Sequence, residues 1–255
     1  MYRIFDTHAH LLDEAFDADR GALIAALPEA GICRVMEACC ARADIPRVIA
    51  LCEAHPLFSG SAGIHPENAL EWGPEAAREV EEALSHPAIR AVGEIGLDYH
   101  WDDPARPVQK QAFAEQVAIA CAHQVPVIIH DRDAHGDTVD ILRAHKSGLS
   151  GIMHCYSGSY ETAKECIDMG LFIAFGGALT FKSAKNRRDI AARLPLDRLL
   201  LETDCPYMAP EPVRGTRNDP RGTIRVLETL FSIRPEDPET IATALWQNAV
   251  SLFGE

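Results

Sequence analysis

Ile4-Phe5-Asp6-Thr7-His8-Ala9-His10 opens the chain and decides how the rest is read. Ile4 and Phe5 are apolar strand formers, and two histidines follow one residue apart. Side chains alternate along a strand, so positions i and i+2 share a side. His8 and His10 therefore aim both imidazoles at one point, where a strand runs out. That is half of a metal site, and its other ligands must come from elsewhere in the chain.

Strand-like runs recur at residues 3–7, 34–38, 57–62, 89–95, 125–129, 151–154, 171–175 and 199–202. Helix-like stretches lie between them, at 19–29, 45–54, 74–84, 108–123, 138–145, 160–169, 184–194 and 222–231. A last amphipathic stretch follows at 238–252. Pro74 with Glu75 behind it suits a helix N-terminus, and Phe113, Val117 and Ala120 keep helical register. Strands alternating with helices imply parallel pairing through βαβ crossovers. Eight such units in 255 residues predict one (β/α)8 TIM barrel with an extra C-terminal helix, a single domain over 1–255. An open doubly wound sheet is the other arrangement of such units, but no G-x-G-x-x-G follows the first strand. The Pro/Gly-rich region 206–220, directly after the eighth strand, is expected as a loop at the barrel mouth, where such folds keep their sites.

Composition narrows the function. The net charge of −14 argues against a broad duplex-binding surface. It leaves room for a nucleic-acid end held at a bound cation, which dominates its local field. The eight cysteines form no C-x-x-C and read as reduced thiols of a cytoplasmic protein. The N-terminus has no signal-peptide pattern, and no apolar run reaches the roughly 18 residues of a membrane span. The chain is read as a cytoplasmic monomer.

Ligand-type residues gather where the strands end: His8 and His10, His65 after the third strand, Glu94 and Asp98, His130, His154, then Glu202 and Asp204. A barrel brings those ends to one face. A lone histidine is more often an ordinary surface or core residue, and His55, His86, His123 and His145 are read so. Glu94 and Asp204 follow apolar runs that should be buried, where a carboxylate needs a cation or hydrogen-bond partner. A buried salt bridge would satisfy either one alone; six ligands together suit two metals better than one tetrahedral ion. Mixed N/O donors fit zinc, manganese or magnesium, and the sequence does not choose among them.

These residues, in this order, resemble the TatD family of metal-dependent hydrolases over essentially the full length. The resemblance rests on Phe5-Asp6-Thr7-His8-Ala9-His10-Leu11, Gly63-Ile64-His65-Pro66, Gly93-Glu94-Ile95-Gly96-Leu97-Asp98-Tyr99, His154-Cys155-Tyr156-Ser157-Gly158, Leu199 through Tyr207, and Arg214-Gly215-Thr216-Arg217-Asn218. It implies two divalent ions, one on His8, His10, Glu94 and Asp204 and the other on Glu94, His130 and His154, with Glu94 bridging. It implies nuclease action, commonly exonucleolytic from the 3′ end of single strands. Ala9, Tyr156 and Cys205 depart from common family residues without removing a ligand.

On that reading Asp204 takes the proton of the attacking water, Glu94 bridges, and His65 holds the scissile phosphate or leaving group, with an equal case for a supporting hydrogen bond. Arg132, Arg217 and Asn218 are expected to bind flanking phosphate. Tyr99, Trp101, Tyr156 and Phe181 are candidate stacking surfaces for a base. The rival activity on the same ligands is ester or amide hydrolysis, such as D-aminoacyl-tRNA deacylation. A non-catalytic interaction barrel is disfavoured, because no ligand has been lost.

Overall fold

The structure, a computed structural model, describes residues 2–101 and 103–254. Its strands are β1 (Ile4–Ala9), β2 (Ile32–Glu37), β3 (Phe58–Ala62), β4 (Ile89–Asp98), β5 (Val127–Arg132), β6 (Gly151–Met153), β7 (Leu171–Phe175) and β8 (Leu199–Leu201). The α-helices are α1 (Arg20–Ala26), α2 (Ile45–Ala54), α3 (Pro74–Ala83), α4 (Arg106–His123), α5 (His135–Ala144), α6 (Tyr160–Asp168), α7 (Lys185–Arg193), α8 (Thr223–Ile233) and α9 (Pro238–Phe253). The strands form one eight-stranded sheet in sequence order with helices between them, the (β/α)8 class with α9 as the additional C-terminal helix.

Three strands run further than the apolar pattern suggests, and the difference places the ligands. β1 continues through His8 to Ala9, β4 to Asp98 and β5 to Arg132. Polar residues stay extended there because the parallel ladder continues, pairing Gly96 with His130, Leu97 with Asp131 and Asp98 with Arg132. Gly96 makes this possible. Its φ is +148°, and a Cβ there would lie 1.9 Å from the His130 carbonyl oxygen. At the other extreme, α1 stops at Ala26, where Pro28–Ala30 tightens into a 3-10 turn before Gly31 at φ 86°.

The chain divides into two compact units, Met1–Glu37 with Ala174–Glu255, and Ala38–Ile173. In the first, β1 pairs with β2, and the end of β1 meets the segment after β8 through a parallel bridge between Ala9 and Cys205. Phe5 packs on Trp246 and Phe253 of α9, with ring centroids 6.3 and 6.0 Å apart. Asn248 of α9 donates to the carbonyls of Leu196 and Leu199, fixing the helix to the start of β8.

In the second unit β3 through β6 pair in parallel order, and β6 pairs with β7. Val92, Ile95, Leu97, Phe113, Val117 and Val127–Ile129 are buried among them. Two buried glutamines of α4 satisfy backbone at the strand ends. Gln116 bonds both the N–H and the carbonyl of Ile64, and Gln109 bonds both of those groups of Asp98. Unmet, such groups would each cost about 1–3 kcal/mol, so α4 holds the ends of β3 and β4 in place. His55, His123 and His145 sit at helix ends and His86 in the turn after α3, away from the clusters described next.

Candidate metal centre

The first cluster is built by β1 and the segment after β8. Asp204 N–H donates to the His8 carbonyl and His10 N–H to the Cys205 carbonyl, at 3.0 and 2.8 Å. This pairing sets three side chains together. The Nε2 atoms of His8 and His10 are 3.0 Å apart, and Asp204 Oδ1 lies 3.7 and 3.5 Å from them. His8 is buried, while His10 and Asp204 keep some solvent access. Asp204 has φ 58°, a left-handed backbone that aspartate and asparagine tolerate better than most residues.

Residues that touch none of the three ligand atoms hold that cluster. Asp6, fully buried, accepts from Thr203 N–H at 2.8 Å and from the Thr203 hydroxyl at 2.5 Å. Burial pushes the Asp6 carboxyl well above its usual range, against the pull of the Thr203 bonds. Glu37, at the end of β2, accepts from Leu11 N–H and Leu12 N–H, tying down the chain that follows His10. Burial raises Glu37 to about 7. Asn218 is buried and donates to the Thr203 and Tyr207 carbonyls, so it braces the Asp204 loop. Arg217 pairs with Asp19 at 2.7 Å, donates to the Ala15 carbonyl and lies over Phe16.

The second cluster lies in the other unit and converges on one oxygen. Glu94 Oε1 is 2.8 Å from His130 Nδ1, 3.2 Å from His154 Nε2 and 3.5 Å from His65 Nε2. The thiol of Cys40 points at the other oxygen, at 3.8 Å. Glu94 is placed by its N–H bond to the Cys39 carbonyl and by the close approach of β3, β4 and β5. A Cβ at Gly93 would meet the Ile128 Cβ at 2.6 Å, so only glycine fits beside Glu94. His65 Nδ1 accepts from Glu67 N–H, which puts its proton on Nε2, facing Glu94.

His130 has a carboxylate on each nitrogen. Its Nε2 lies 3.0 Å from Asp98 Oδ2, and Asp98 Oδ1 accepts from His100 N–H. Burial works against the charged imidazole, but the bonds to Asp98 and Glu94 prevail and raise His130 to about 9. Asp98, in turn, is held below its usual value: burial acts to raise it, and His130 overcomes that. A carboxylate on the far nitrogen is the arrangement that orients a metal-binding histidine. Asp98 is the functional residue the sequence reading left without a role. Glu94 and Asp98 are four apart on β4 and so share a face, but the apolar pattern ends that strand at residue 95, before Asp98.

The remaining expected substrate residues divide. Arg132 Nη1 lies 4.0 Å from Asp98, beside the second cluster. The Tyr99 hydroxyl donates to Asp137, and Arg106 covers its ring at 4.2 Å. Tyr156 is buried with its hydroxyl on the Ser159 carbonyl, Phe181 is buried, and Trp101 is exposed.

The donor sets fit divalent cations. His8, His10 and Asp204 converge as N2O, and His65, Glu94 and His130 converge likewise, with His154 on the same Glu94 oxygen. Imidazole and carboxylate mixtures of this kind suit zinc, manganese and related ions. A (β/α)8 chain carrying such clusters where its strands end has the architecture of a metal-dependent hydrolase.

Comparison with known proteins agrees. The family model described as TatD related DNase matches residues 5–254. The metal-dependent hydrolase YabD of Bacillus subtilis is 38% identical over 251 residues, covering 98% of each chain. A protein of Pantoea vagans named 3′-5′ ssDNA/RNA exonuclease TatD is 32% identical over 257 residues, covering 98% of this chain and 99% of that one. The crystal structure of YjjV, a TatD homolog from Escherichia coli, superposes with a TM-score of 0.95 at 33% identity, covering 99% of this chain and 98% of the other. The chain belongs to the TatD family of metal-dependent hydrolases.

Proposed function

We propose that this chain hydrolyses phosphodiester bonds with two divalent ions, as a deoxyribonuclease that trims single-stranded DNA, and RNA, from the 3′ end. The observation that carries this reading is the presence of two donor clusters, His8–His10–Asp204 and Glu94 with His130 and His154. Each offers nitrogen and oxygen donors enough for one ion. The exonuclease name of the Pantoea relative supports the choice of substrate. The proposed enzyme acts as a cytoplasmic monomer, with residues 1–255 as one catalytic domain.

When bound, two such ions supply Lewis acidity: they lower the pKa of water and neutralise phosphate charge. The chain's own groups do the rest. Asp204, partly open to solvent, accepts the proton of the attacking water. His65, whose Nε2 carries its proton, donates to the phosphoryl or leaving oxygen. Asp98 keeps the His130 Nδ1 lone pair aimed at the ligand cluster by holding the Nε2 proton. Arg132 adds positive charge for a flanking phosphate, and Tyr99, stiffened by Asp137 and Arg106, lines the approach. Arg217 and Asn218 contribute by holding the loop that carries Asp204.

The test is direct. End-labelled single-stranded DNA and RNA are incubated with protein reconstituted with Mg²⁺, Mn²⁺ or Zn²⁺, and with EDTA. The expected result is a ladder shortening from the 3′ end, abolished by EDTA and by Asp204→Asn. Undiminished cleavage by Asp204→Asn overturns its assigned role. Turnover of D-aminoacyl-tRNA with no cleavage of any strand replaces the reading with the ester hydrolase.

A further inference from the structure

The sequence run Lys182-Ser183-Ala184-Lys185-Asn186-Arg187-Arg188 holds four cations and no acid, in a chain where acids outnumber bases 38 to 24. It lies after β7, in the same compact unit as His8, His10 and Asp204. Arg188 is used internally: its guanidinium donates to the carbonyls of Leu179 and Phe181 and stiffens the turn. Lys182 and Lys185 are exposed.

The loop after β8 is knitted to this turn. Glu211 N–H donates to the Thr180 hydroxyl at 2.8 Å, and Met208 packs on Ala178, Phe181 and Ala184. A Cβ at Gly177 would lie 1.8 Å from the Met208 carbonyl oxygen, so glycine is required for the two loops to touch. Two side chains of the second loop then face outward. Tyr207 is 56% exposed, stands edge-on to the His10 ring at a centroid distance of 6.3 Å, and is anchored by its hydroxyl on Asp13. Arg214 is exposed, with its guanidinium 4.2 Å over the Phe181 ring. Unlike Arg217, which Asp19 neutralises, Arg214 is held by an aromatic face and keeps its charge available.

A fixed, exposed aromatic beside a candidate metal ligand, with exposed cations on the two loops packed together there, has the chemistry that takes a single strand: stacking on one base, then phosphate contacts. We propose that the loops after β7 and β8 form the single-strand track leading from the His8–His10–Asp204 cluster, with Tyr207 stacking the base next to the scissile phosphate and Arg214, Lys182 and Lys185 binding phosphates beyond it. The open base face that stacking needs selects single strands over duplex. The inference rests on the phosphodiesterase reading and assigns its substrate contacts.

Binding of a fluorescein-labelled twelve-nucleotide oligothymidylate to the full chain, followed by anisotropy over a salt series in EDTA, tests it. Tyr207→Ala is expected to weaken binding about 5- to 150-fold, while Tyr207→Phe, which keeps the ring, restores it. The double variant Lys182→Ala/Lys185→Ala is expected to reduce the slope of log K against log salt by about 1.4, and Arg214→Ala by about 0.7. Unchanged affinity in Tyr207→Ala together with an unchanged salt slope in the lysine double variant overturns the track. Hydrolysis of bis(4-nitrophenyl) phosphate by the metal-loaded wild-type protein separates the two levels. Turnover of that small diester with unaltered strand binding in the variants refutes the track alone; no turnover of diester or strand refutes the phosphodiesterase reading and the track with it.

Discussion

Asp98 touches no substrate in the proposed mechanism, yet its replacement tests the second cluster most sharply. Asp98 Oδ1 accepts from His100 N–H at 2.9 Å, and Oδ2 faces His130 Nε2 at 3.0 Å. Asparagine has the same shape. The His100 N–H keeps the amide oxygen on its side, so Asp98→Asn turns an N–H donor toward Nε2. His130 relieves the clash by carrying its proton on Nδ1, the nitrogen that faces Glu94 at 2.8 Å. That occupies the lone pair a metal ion needs. Loss of an orienting partner of this kind costs about 10- to 100-fold in metal affinity, and the forced tautomer places Asp98→Asn near the upper end, about 2.7 kcal/mol.

Competition between protein and a chromophoric zinc chelator at fixed pH measures this loss directly. Calorimetry in buffers of different ionisation heats adds a second readout. His130 is raised to about 9 in the metal-free protein, so below that pH it carries both ring protons. A metal ion must displace one, and wild-type affinity for the second cluster should rise as pH climbs toward 9, with about one proton released from His130 per ion. Asp98→Asn removes the bond that sustains the raised value and should lower that proton release near neutral pH. A variant that folds normally, binds zinc within twofold of wild type and releases the same number of protons would refute the reasoning.

Three further outcomes follow from the same contacts. Asp204→Asn should leave thermal stability nearly unchanged and abolish strand cleavage. Asp204→Ala should additionally lose about 1–2 kcal/mol, because alanine pays the left-handed backbone cost at φ 58°; equal stability of the two variants in urea contradicts this. Glu37 rises from 4.5 to about 7 on folding, so the folded state holds the extra proton: stability from this group is complete below pH 4.5 and falls by about 3 kcal/mol as pH rises through 7. Urea unfolding of metal-free protein at pH 5 and 8 should show that fall, and Glu37→Gln should flatten it. Gly96→Ala would force a methyl to within 1.9 Å of the His130 carbonyl oxygen, and should destabilise by more than about 3 kcal/mol; a loss under 1 kcal/mol means that β4 and β5 can separate there without consequence.

The sequence carried most of the fold and the kinds of ligand. Alternating strand and helix patterns, each of four to sixteen residues, act locally, and the eight units appear where those patterns stand. The histidine pair at 8 and 10 was legible because period two is a property of a single strand. Glu94 falls within the apolar run read as the fourth strand, whereas Asp98 lies three residues beyond its end. The polar ends of β4 and β5 were not legible as strand, because the ladder between Gly96 and His130 holds them extended where composition does not.

What the tertiary structure decided depends on residues far apart in the chain. Arg217 has the chemistry of a phosphate ligand, but Asp19, 198 positions earlier, holds it. Asp6 has the chemistry of a ligand, but Thr203, 197 positions later, makes it a brace for the loop that carries Asp204. Which nitrogen of His130 faces Glu94, and that Tyr207 stands against His10, are likewise products of strand register and loop packing. By itself the sequence determined which donors reach the strand ends, since spacing along one strand sets the side on which a residue points. The partner each donor meets was settled only when distant segments packed, because a hydrogen bond forms between atoms about 3 Å apart in space, whatever their separation along the chain.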